Sequence, residues 1–230
     1  MRFKDFERIV FFTGAGMSAE SGVPTYRGAG GIWREYDYRA YACQDAFNHD
    51  PEHVWEFHNY RRGIVGACAP NRGHEIIAEL EATHHVTVVT QNIDGLHQLA
   101  GSTNVIELHG SLWRLRCDHC GNRHRGRENP LEELHCTACH SYWRPDIVWF
   151  GDTLNFENIQ DAQHALQECD LMISIGTSGV VYPAAALPMV AKRSGARMVE
   201  VNPELTDMSV LYDVNFRTTA SEALSEMSGA

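Results

Sequence analysis

The sequence lacks any apolar run that approaches the ~20 residues that a membrane-spanning helix needs. It is also poor in basic residues, since 19 lysines and arginines stand against 30 aspartates and glutamates, which gives a net charge of −11 at pH 7. Nucleic-acid-binding proteins need a basic face, so this balance argues against that class. Internal repeats and low-complexity tracts are absent as well. What is present, a hydrophobic content of 43%, suffices for a folded core.

A recognisable targeting segment is also missing. Met1–Glu7 (MRFKDFE) has neither the apolar stretch of a secretory signal nor the Arg- and Ser-rich composition of a transit peptide. We therefore expect a cytoplasmic protein, in which a reducing environment keeps thiols free.

Four of the seven cysteines form two Cys-x-x-Cys pairs that are separated by 15 residues. The pairs are Cys117/Cys120 and Cys136/Cys139. This spacing is typical of a zinc ribbon, in which four thiolates fill the tetrahedral shell and leave no position for water. A disulfide framework is the alternative, and the reducing environment favours the metal. We predict one structural zinc ion and interpret the other three cysteines as small buried hydrophobic residues: Cys43, Cys68 and Cys169.

Short apolar runs rich in β-branched residues recur along the chain, and each ends at polar or glycine residues. They are Ile9–Thr13, Val86–Thr90, Val105–Leu108, Leu171–Ile175 and Met198–Val201. Because they are continuous rather than alternating, they predict buried parallel strands. The helix-like stretches between them are Gly73–Ala82, Asn158–Glu168 and Pro183–Ser194. This order predicts an α/β fold with a doubly wound parallel sheet, whose strand ends converge on one crevice.

Two segments interrupt the alternation of strands and helices. One is rich in aromatic, charged and loop residues without an obvious strand, and the other holds the paired cysteines. We therefore expect a discontinuous Rossmann-type large domain of residues 1–28, 71–112 and 150–230, a helical module at 29–70, and a small zinc-binding domain at 113–149.

A glycine-rich loop follows the first predicted strand. Gly14–Ala19 (GAGMSA) matches the pattern G-x-G-x-x-G/A, which lets backbone N–H groups approach a pyrophosphate at a helix N-terminus. Such turns are also common as purely structural features. Gly22-Val23-Pro24 would stop the helix early, and the Gly-rich stretch Thr25–Gly31 replaces the second strand of a dehydrogenase. The pattern predicts that a dinucleotide binds in a manner unlike that in dehydrogenases, beneath a closing lid.

Several longer motifs then appear in a fixed order around the paired cysteines. They are GAGMSAESGVPTYRG (Gly14–Gly28), TQNIDGLH (Thr90–His97), ELHGSL (Glu107–Leu112), RPDIVWFG (Arg144–Gly151), IGTS (Ile175–Ser178) and EVNPE (Glu200–Glu204). With these motifs the chain resembles the sirtuins, the NAD-dependent protein-lysine deacylases. Its compact length is similar to that of prokaryotic members. The phrases TYRGAGG and WEFHNYRR are most similar to the class III branch, which includes the desuccinylases.

The resemblance implies a Rossmann-type lobe, a small zinc lobe and a cleft that takes NAD and an acyl-lysine protein substrate. NAD would be consumed, so that nicotinamide leaves and the acetyl, succinyl or malonyl group ends on ADP-ribose. Three other functions remain as alternatives: mono-ADP-ribosyl transfer, hydride transfer by a dehydrogenase, and nucleic-acid binding by a zinc ribbon. The acidic charge counts against the last of them.

The resemblance also implies a set of NAD-binding residues. They are Gly14, Ala15, Gly16, Ser18, Ala19, Tyr26, Arg27, Gln91, Asn92, Ile93, Asp94, Gly176, Thr177, Ser178, Asn202, Pro203, Glu204 and Ala220. Asn92 and Asp94 would hold the carboxamide and the ribose hydroxyls, and capping of the next helix is their alternative role. His109, within the ELHG motif, is the expected general base for a ribose hydroxyl, because imidazole titrates near neutral pH.

On the substrate side, Val148, Phe150 and Gly151 are expected to pair with an extended peptide, with simple core packing as the alternative. Class III sirtuins carry a Tyr-x-x-Arg pair that binds the acyl carboxylate. Here Arg61 falls on the arginine position, where it would form charge-assisted bonds, and His58 falls on the tyrosine position.

Further expectations for this pocket concern Tyr60, Ala42 and Arg62. Tyr60 is one step from Arg61 and should point elsewhere on a helix. Ala42 is the expected small floor of the pocket. The alternative is that Arg61 and Arg62 are solvated charges on a helix face.

Overall fold

A six-stranded parallel sheet and a three-stranded antiparallel sheet organise the computed structural model, which describes residues 1–26, 31–32 and 35–229. The strands are β1 (Arg8–Thr13), β2 (His85–Thr90), β3 (Val105–Glu107), β4 (Gly110–Arg116), β5 (Arg123–Arg125), β6 (Arg144–Ile147), β7 (Leu171–Ile175), β8 (Arg197–Val201) and β9 (Val214–Phe216). The large sheet has the order β3-β2-β1-β7-β8-β9. When only the strands of this sheet are numbered, the order is 3-2-1-4-5-6, which is the Rossmann order. The predicted fold class is therefore confirmed.

The apolar runs form the large sheet because both of its faces are covered. In β1, Ile9 and Phe11 belong to one buried cluster, and Val10 and Phe12 belong to a second cluster on the opposite face. Burying each such side chain contributes roughly 1.5–3 kcal/mol to folding, which explains why the run is continuous rather than alternating. All pairings within this sheet are parallel, so the strands end at one edge.

The α-helices lie around these sheets. They are α1 (Tyr38–Tyr41), α2 (Gln44–His49), α3 (Pro51–Gly66), α4 (Arg72–Leu80), α5 (Leu96–Ala100), α6 (Phe156–Glu168), α7 (Pro188–Arg193) and α8 (Ala220–Ser228). Short side chains cap several of them. The Asp50 carboxylate accepts a hydrogen bond from the backbone N–H of His53 at the start of α3, at 3.0 Å. The described part of the chain contains no helix with both the length and the apolar character that crossing a bilayer requires.

Two predicted helices differ from the structure. The stretch Pro183–Ser194 is helical only from Pro188, after a 3₁₀ turn at Ala184–Ala186, because proline has no N–H and is tolerated only at the start of a helix. The glycine-rich loop leads into a 3₁₀ helix, Ala15–Ser21, rather than an α-helix. Gly22, with φ of +89°, ends it early, as the sequence predicted.

Of the two segments that interrupt the strand–helix alternation, the first contributes helices α1 to α3. It packs against the second, residues 113–149, which carries the paired cysteines and is called the zinc segment below. Trp55 of α3 is buried in one cluster with Trp113 of β4 and Trp143, which precedes β6. The Trp55 indole N–H donates to the carbonyl oxygen of Trp143 at 2.7 Å. This third cluster therefore joins α3 to the small sheet, whose strand order is β5-β4-β6.

Candidate functional site

The loops after β1 and β7, two central neighbours in the large sheet, touch each other. The Gly14 N–H donates to the carbonyl of Ile175, and the Gly16 N–H donates to that of Gly176, each at 2.9 Å. A Cβ atom on Gly16 would lie 2.6 Å from the Gly176 Cα, so only glycine permits this approach. Here the strand order reverses, and open α/β sheets bind their ligands at such a point.

A cavity of about 850 Å³ opens at this point, within the size range of small-molecule and cofactor sites. Most of the predicted site residues line it: Gly14, Ala15, Gly16, Ala19, Tyr26, Gln91, Asn92, Ile93, His109, Gly176, Thr177, Ser178, Asn202, Pro203, Glu204 and Ala220, together with Ala42, His58, Arg61, Val148, Phe150 and Gly151. Arg27 lies outside the described residues. Ser18 and Asp94 are buried behind the wall of the cavity.

Ser18, Asn92 and Asp94 form a buried hydrogen-bonded group beneath the glycine-rich loop. The Ser18 hydroxyl donates to Asp94 Oδ2 at 2.7 Å, and Asn92 Nδ2 donates to the Gly14 carbonyl at 3.0 Å. Asp94 Oδ1 also accepts from the N–H of Leu96, the first residue of α5, whose N-cap residue is Gly95. Burial raises the pKa of Asp94. In this structure Asp94 and Ser18 hold the loop in place, and Asn92 reaches the cavity.

His109 lies just beyond β3, and its geometry fixes its tautomer. Its Nδ1 atom is 2.9 Å from the Gln91 carbonyl oxygen. Because a carbonyl only accepts hydrogen bonds, Nδ1 carries the proton and Nε2 carries the lone pair. Burial lowers the pKa of His109 from its ordinary value of 6.5, so the ring is neutral at pH 7. His109 can therefore accept a proton through Nε2.

Two residues of the predicted acyl pocket, His58 and Arg61, lie on α3 one helical turn apart. Arg61 is only 5% exposed, and its Nη1 atom donates to the Tyr26 hydroxyl at 2.9 Å. Its guanidinium also lies over the Tyr26 ring, 4.7 Å from the centroid. Arg62 is buried too and donates to the carbonyls of Gly126 and Glu128. The interpretation of both arginines as solvated charges is wrong. Tyr60 is exposed and does not line the cavity, so it points away from Arg61 as predicted.

His58 is 1% exposed, and within the described residues neither of its ring nitrogens has a hydrogen-bond partner. Its ring stacks on Trp149, with centroids 5.8 Å apart and planes inclined by 19°. Burial, together with the nearby Arg61 cation, lowers the pKa of His58 to about 3. His58 is therefore neutral at pH 7 and offers one donor and one acceptor.

The backbone after β6 forms another wall of the cavity. The Val148 N–H donates to the carbonyl of His109, and the Phe150 N–H donates to that of Ala42, each at 3.0 Å. Trp149 is a core residue, which was the alternative interpretation for this stretch, whereas the Phe150 side chain is exposed. The segment thus links His109, the predicted base, to Ala42, the predicted floor of the acyl pocket.

The four paired cysteines come together as the spacing predicts. Their sulfur atoms all lie within 4.8 Å of one another, with Cys117–Cys139 at 3.4 Å and Cys120–Cys136 at 3.6 Å. Tetrahedral coordination with Zn–S bonds of about 2.3 Å places sulfur atoms about 3.8 Å apart. The donor set and spacing therefore fit a structural zinc ion. Cys43 and Cys68 are half-buried and Cys169 is fully buried, away from this cluster.

Sequence reasoning missed several residues of the cavity wall. These residues are mainly in loops: Asp152, Leu154, Val181, Tyr182, Pro183, Leu205, Thr206, Asp207, Thr218 and Thr219. The last two lie between β9 and α8, and Thr219 caps that helix by accepting from the Glu222 N–H. A capping threonine before an amphipathic stretch was a signal that could have revealed them.

Comparisons with known proteins agree with this geometry. Residues 14–183 match the model of the Sir2 family. An NAD-dependent protein deacylase of Aquifex aeolicus (strain VF5) is 44% identical over 95% of this chain and 93% of its own length. NAD-dependent protein deacylase 1 of Caldanaerobacter subterraneus subsp. tengcongensis is 47% identical over 93% of this chain and 89% of its own.

Solved structures give the same result. A mutant Sir2 homologue in complex with ADP-ribose has a TM-score of 0.94 and 39% identity, covering 100% of this chain and 96% of its own. A Sir2 homologue in complex with NAD has a TM-score of 0.90 and 40% identity, covering 98% of this chain and 89% of its own. The family model, the sequence identities and the shared fold all agree: this chain belongs to the Sir2 family and is a sirtuin-type enzyme.

Proposed function

We propose that this chain is an NAD-dependent protein-lysine deacylase, which moves an acyl group from lysine to ADP-ribose and releases nicotinamide and O-acyl-ADP-ribose. One observation carries the proposal: a single cavity is lined by the glycine-rich loop, Asn92, His109 and the backbone at Val148–Gly151. It also has support from the similar proteins described above, which are named as NAD-dependent deacylases or solved with NAD or ADP-ribose.

The residues present fit NAD as a substrate. At the glycine-rich loop, Cβ atoms on Gly14 and Gly16 would collide with the loop after β7, so the backbone itself forms the wall. Backbone N–H groups in such a turn suit a pyrophosphate. Amide side chains from Gln91, Asn92 and Asn202 line the cavity and can pair with a carboxamide or with ribose hydroxyls.

The chain's own groups can support each stage of the transfer. Loss of nicotinamide leaves an electron-poor ribose carbon, which the acyl oxygen of the lysine amide attacks. Asn92 is held in place through its bond to Gly14, so its remaining amide oxygen has a fixed direction. Nε2 of neutral His109 takes the proton from the neighbouring ribose hydroxyl, and the freed oxygen attacks the acyl carbon. The lysine amine then leaves as its C–N bond breaks, and one water adds to the acyl carbon, so that the acyl group ends on ADP-ribose. Phe150, which lines the cavity, helps to exclude water.

We further propose that the pocket accepts acetyl groups and also succinyl or malonyl groups. The supporting observation is Arg61, which lines the cavity and whose buried guanidinium donates a hydrogen bond to the Tyr26 hydroxyl. A carboxylate at the end of an acyl chain would form charge-assisted hydrogen bonds with it. Neutral His58 adds one donor and no charge, so the attraction for an anionic acyl group rests on Arg61.

Arg61→Met is expected to lower kcat/KM for a succinyl-lysine peptide by about 100-fold, and for the acetyl peptide by no more than about threefold. The reason is that only the succinyl group loses a charged partner, while methionine fills a similar volume. Steady-state kinetics with the two peptides on one backbone sequence measure the ratio.

Arg39→Met is the matched control for this variant. Arg39 belongs to the same helical module, but it is exposed and stacks on Tyr38, with 5.6 Å from guanidinium to ring centroid. It should leave both rates unchanged. Equal losses on both peptides in Arg61→Met would show that Arg61 does not contact the acyl carboxylate.

The function itself is tested with a panel of acetyl-, succinyl- and malonyl-lysine peptides that are incubated with the protein and NAD. Mass spectrometry should detect the bare lysine peptide, nicotinamide and O-acyl-ADP-ribose in equal amounts. If ADP-ribose is instead attached to an unmodified protein, mono-ADP-ribosyl transfer replaces deacylation. A change in nicotinamide absorbance without free nicotinamide would indicate a dehydrogenase.

The division into a large domain, a helical module and a zinc domain, at the boundaries given above, is part of the same proposal. It has support from the buried clusters, since two cover the faces of the large sheet and the third joins α3 to the cysteine-bearing segment. We propose acyl-lysine proteins as its partners and the cytoplasm as its location, and we expect no nucleic-acid binding.

A further inference from the structure

Glu200 places a buried carboxylate behind one end of the cleft. It lies in β8, is 3% exposed and accepts three hydrogen bonds from side chains. The donors are Thr206 Oγ1 at 3.0 Å, Ser209 Oγ at 2.6 Å and Arg217 Nη1 at 2.6 Å. An ionised group is tolerated at such depth only when it is paired and fully hydrogen-bonded, so this arrangement holds its three partners firmly.

Arg217 carries the constraint from Glu200 into the loop after β8. Its Nη1 atom is also within reach of the carbonyl oxygens of Asn202 and Glu204, at 3.2 and 3.3 Å. The Asn202 side chain in turn accepts from the Glu204 N–H at 3.2 Å and donates to the Thr177 carbonyl at 3.1 Å. The loop is therefore fixed from beneath by a charged pair and is linked to the loop after β7.

The loop after β8, residues 202–207, forms a wall of the cleft, whereas the two residues that support it do not. Each residue from 202 to 207 lines the cavity, and neither Glu200 nor Arg217 does. We propose that Glu200 and Arg217 are positioning residues that hold loop 202–207 in the conformation that binds the nucleotide part of NAD. This inference rests on the proposed function only in taking NAD as the occupant of the cleft.

Glu200→Gln tests the inference while preserving the size of the side chain. One carboxylate oxygen of Glu200 becomes an N–H₂ group in glutamine, and this group cannot accept a hydrogen bond from Thr206, Ser209 or Arg217. The variant therefore breaks at least one of the three bonds and removes the ion pair with Arg217. The Kd for ADP-ribose, measured by isothermal titration calorimetry, and the KM for NAD should both rise about tenfold. The kcat and the KM for an acetyl-lysine peptide should remain within about twofold, because the reacting groups are untouched.

Four further variants, one of them a control, separate positioning from general stability. Arg217→Met should raise the Kd for ADP-ribose as Glu200→Gln does, and the double variant should be no worse than either, since both remove one clamp. Arg217→Lys should recover part of the affinity. The matched control is Arg197→Met, which breaks an ion pair at the other end of β8, with Asp213 at 3.7 Å, and should leave the Kd unchanged.

The outcomes divide clearly. A wild-type Kd in Glu200→Gln, or equal factors of change in the KM for NAD, the KM for peptide and kcat, would overturn the positioning role. If Glu200→Gln fails to fold, Ser209→Ala removes one donor to Glu200 and the acceptor of the Thr206 N–H, outside the cleft, and should raise the Kd in the same direction by a smaller factor. A wild-type protein that does not bind ADP-ribose would contradict the NAD proposal itself. Binding without deacylation leaves the calorimetric test valid.

Discussion

His109→Asn is expected to lower kcat for deacylation by about 10²–10⁴-fold, the usual loss when a general base is removed. Asparagine can still donate a hydrogen bond to the Gln91 carbonyl, as Nδ1 of His109 does at 2.9 Å. It lacks the basic Nε2 lone pair, however, so the ribose hydroxyl keeps its proton. Single-turnover kinetics with an acetyl-lysine peptide measure the loss, and calorimetry should show that ADP-ribose still binds.

The pH profile checks the same assignment. A base works only when it is unprotonated, so the rate should fall as the pH drops through the pKa of His109. Burial lowers this pKa, and the acid limb should therefore lie below the ordinary histidine value of 6.5. The matched control is His164→Asn, which changes an exposed histidine of α6 that pairs with Glu168 on the same helix. If His109→Asn keeps wild-type turnover, another group must act as the base.

The large sheet could be predicted from the sequence because its signal is local. Runs such as Ile9–Thr13 and Leu171–Ile175 are apolar along their whole length, and burial on both faces explains the pattern. β9 was missed because its three residues, Val214–Phe216, are only partly buried or exposed and carry no continuous run. Without that strand, the residues between it and α8 could not be placed at the edge of the sheet.

The candidate site could be predicted where it follows strand ends, and less well where it depends on tertiary contacts. Gly14, Asn92 and His109 follow strands and do converge on one cavity. The sequence could not distinguish Ser18, which faces inward to Asp94, from its neighbours in the loop that face the cavity. The same limit applies to Arg62. Its charge suggested solvent, but carbonyl groups of the zinc segment surround it.

Loss of the zinc site is expected to damage the acyl pocket while leaving the large sheet folded. Cys136→Ser removes one of four clustered thiols, and structural zinc sites contribute to folding directly. The cysteine-bearing segment is bonded to α3 through Asn59, whose side chain both accepts from the Leu131 N–H at 2.9 Å and donates to its carbonyl at 3.1 Å. Arg62 adds bonds to the carbonyls of Gly126 and Glu128. A released zinc segment would therefore loosen the helix that carries the acyl pocket.

The expected result for Cys136→Ser is a Tm at least about 10 °C lower than that of the wild type, since about 4 kcal/mol of lost stability shifts a domain of this size by that much. Zinc content should fall from one ion per chain, and tryptophan fluorescence should shift to the red as Trp113 and Trp143, both buried here, meet water. Cys68→Ser is the matched control, because a serine hydroxyl can replace its thiol as the donor to the Ile64 carbonyl. An unchanged Tm and zinc content in Cys136→Ser would mean that these sulfur atoms do not hold the metal. A fall in the Tm with full affinity for acyl peptides would mean instead that the zinc segment does not support α3.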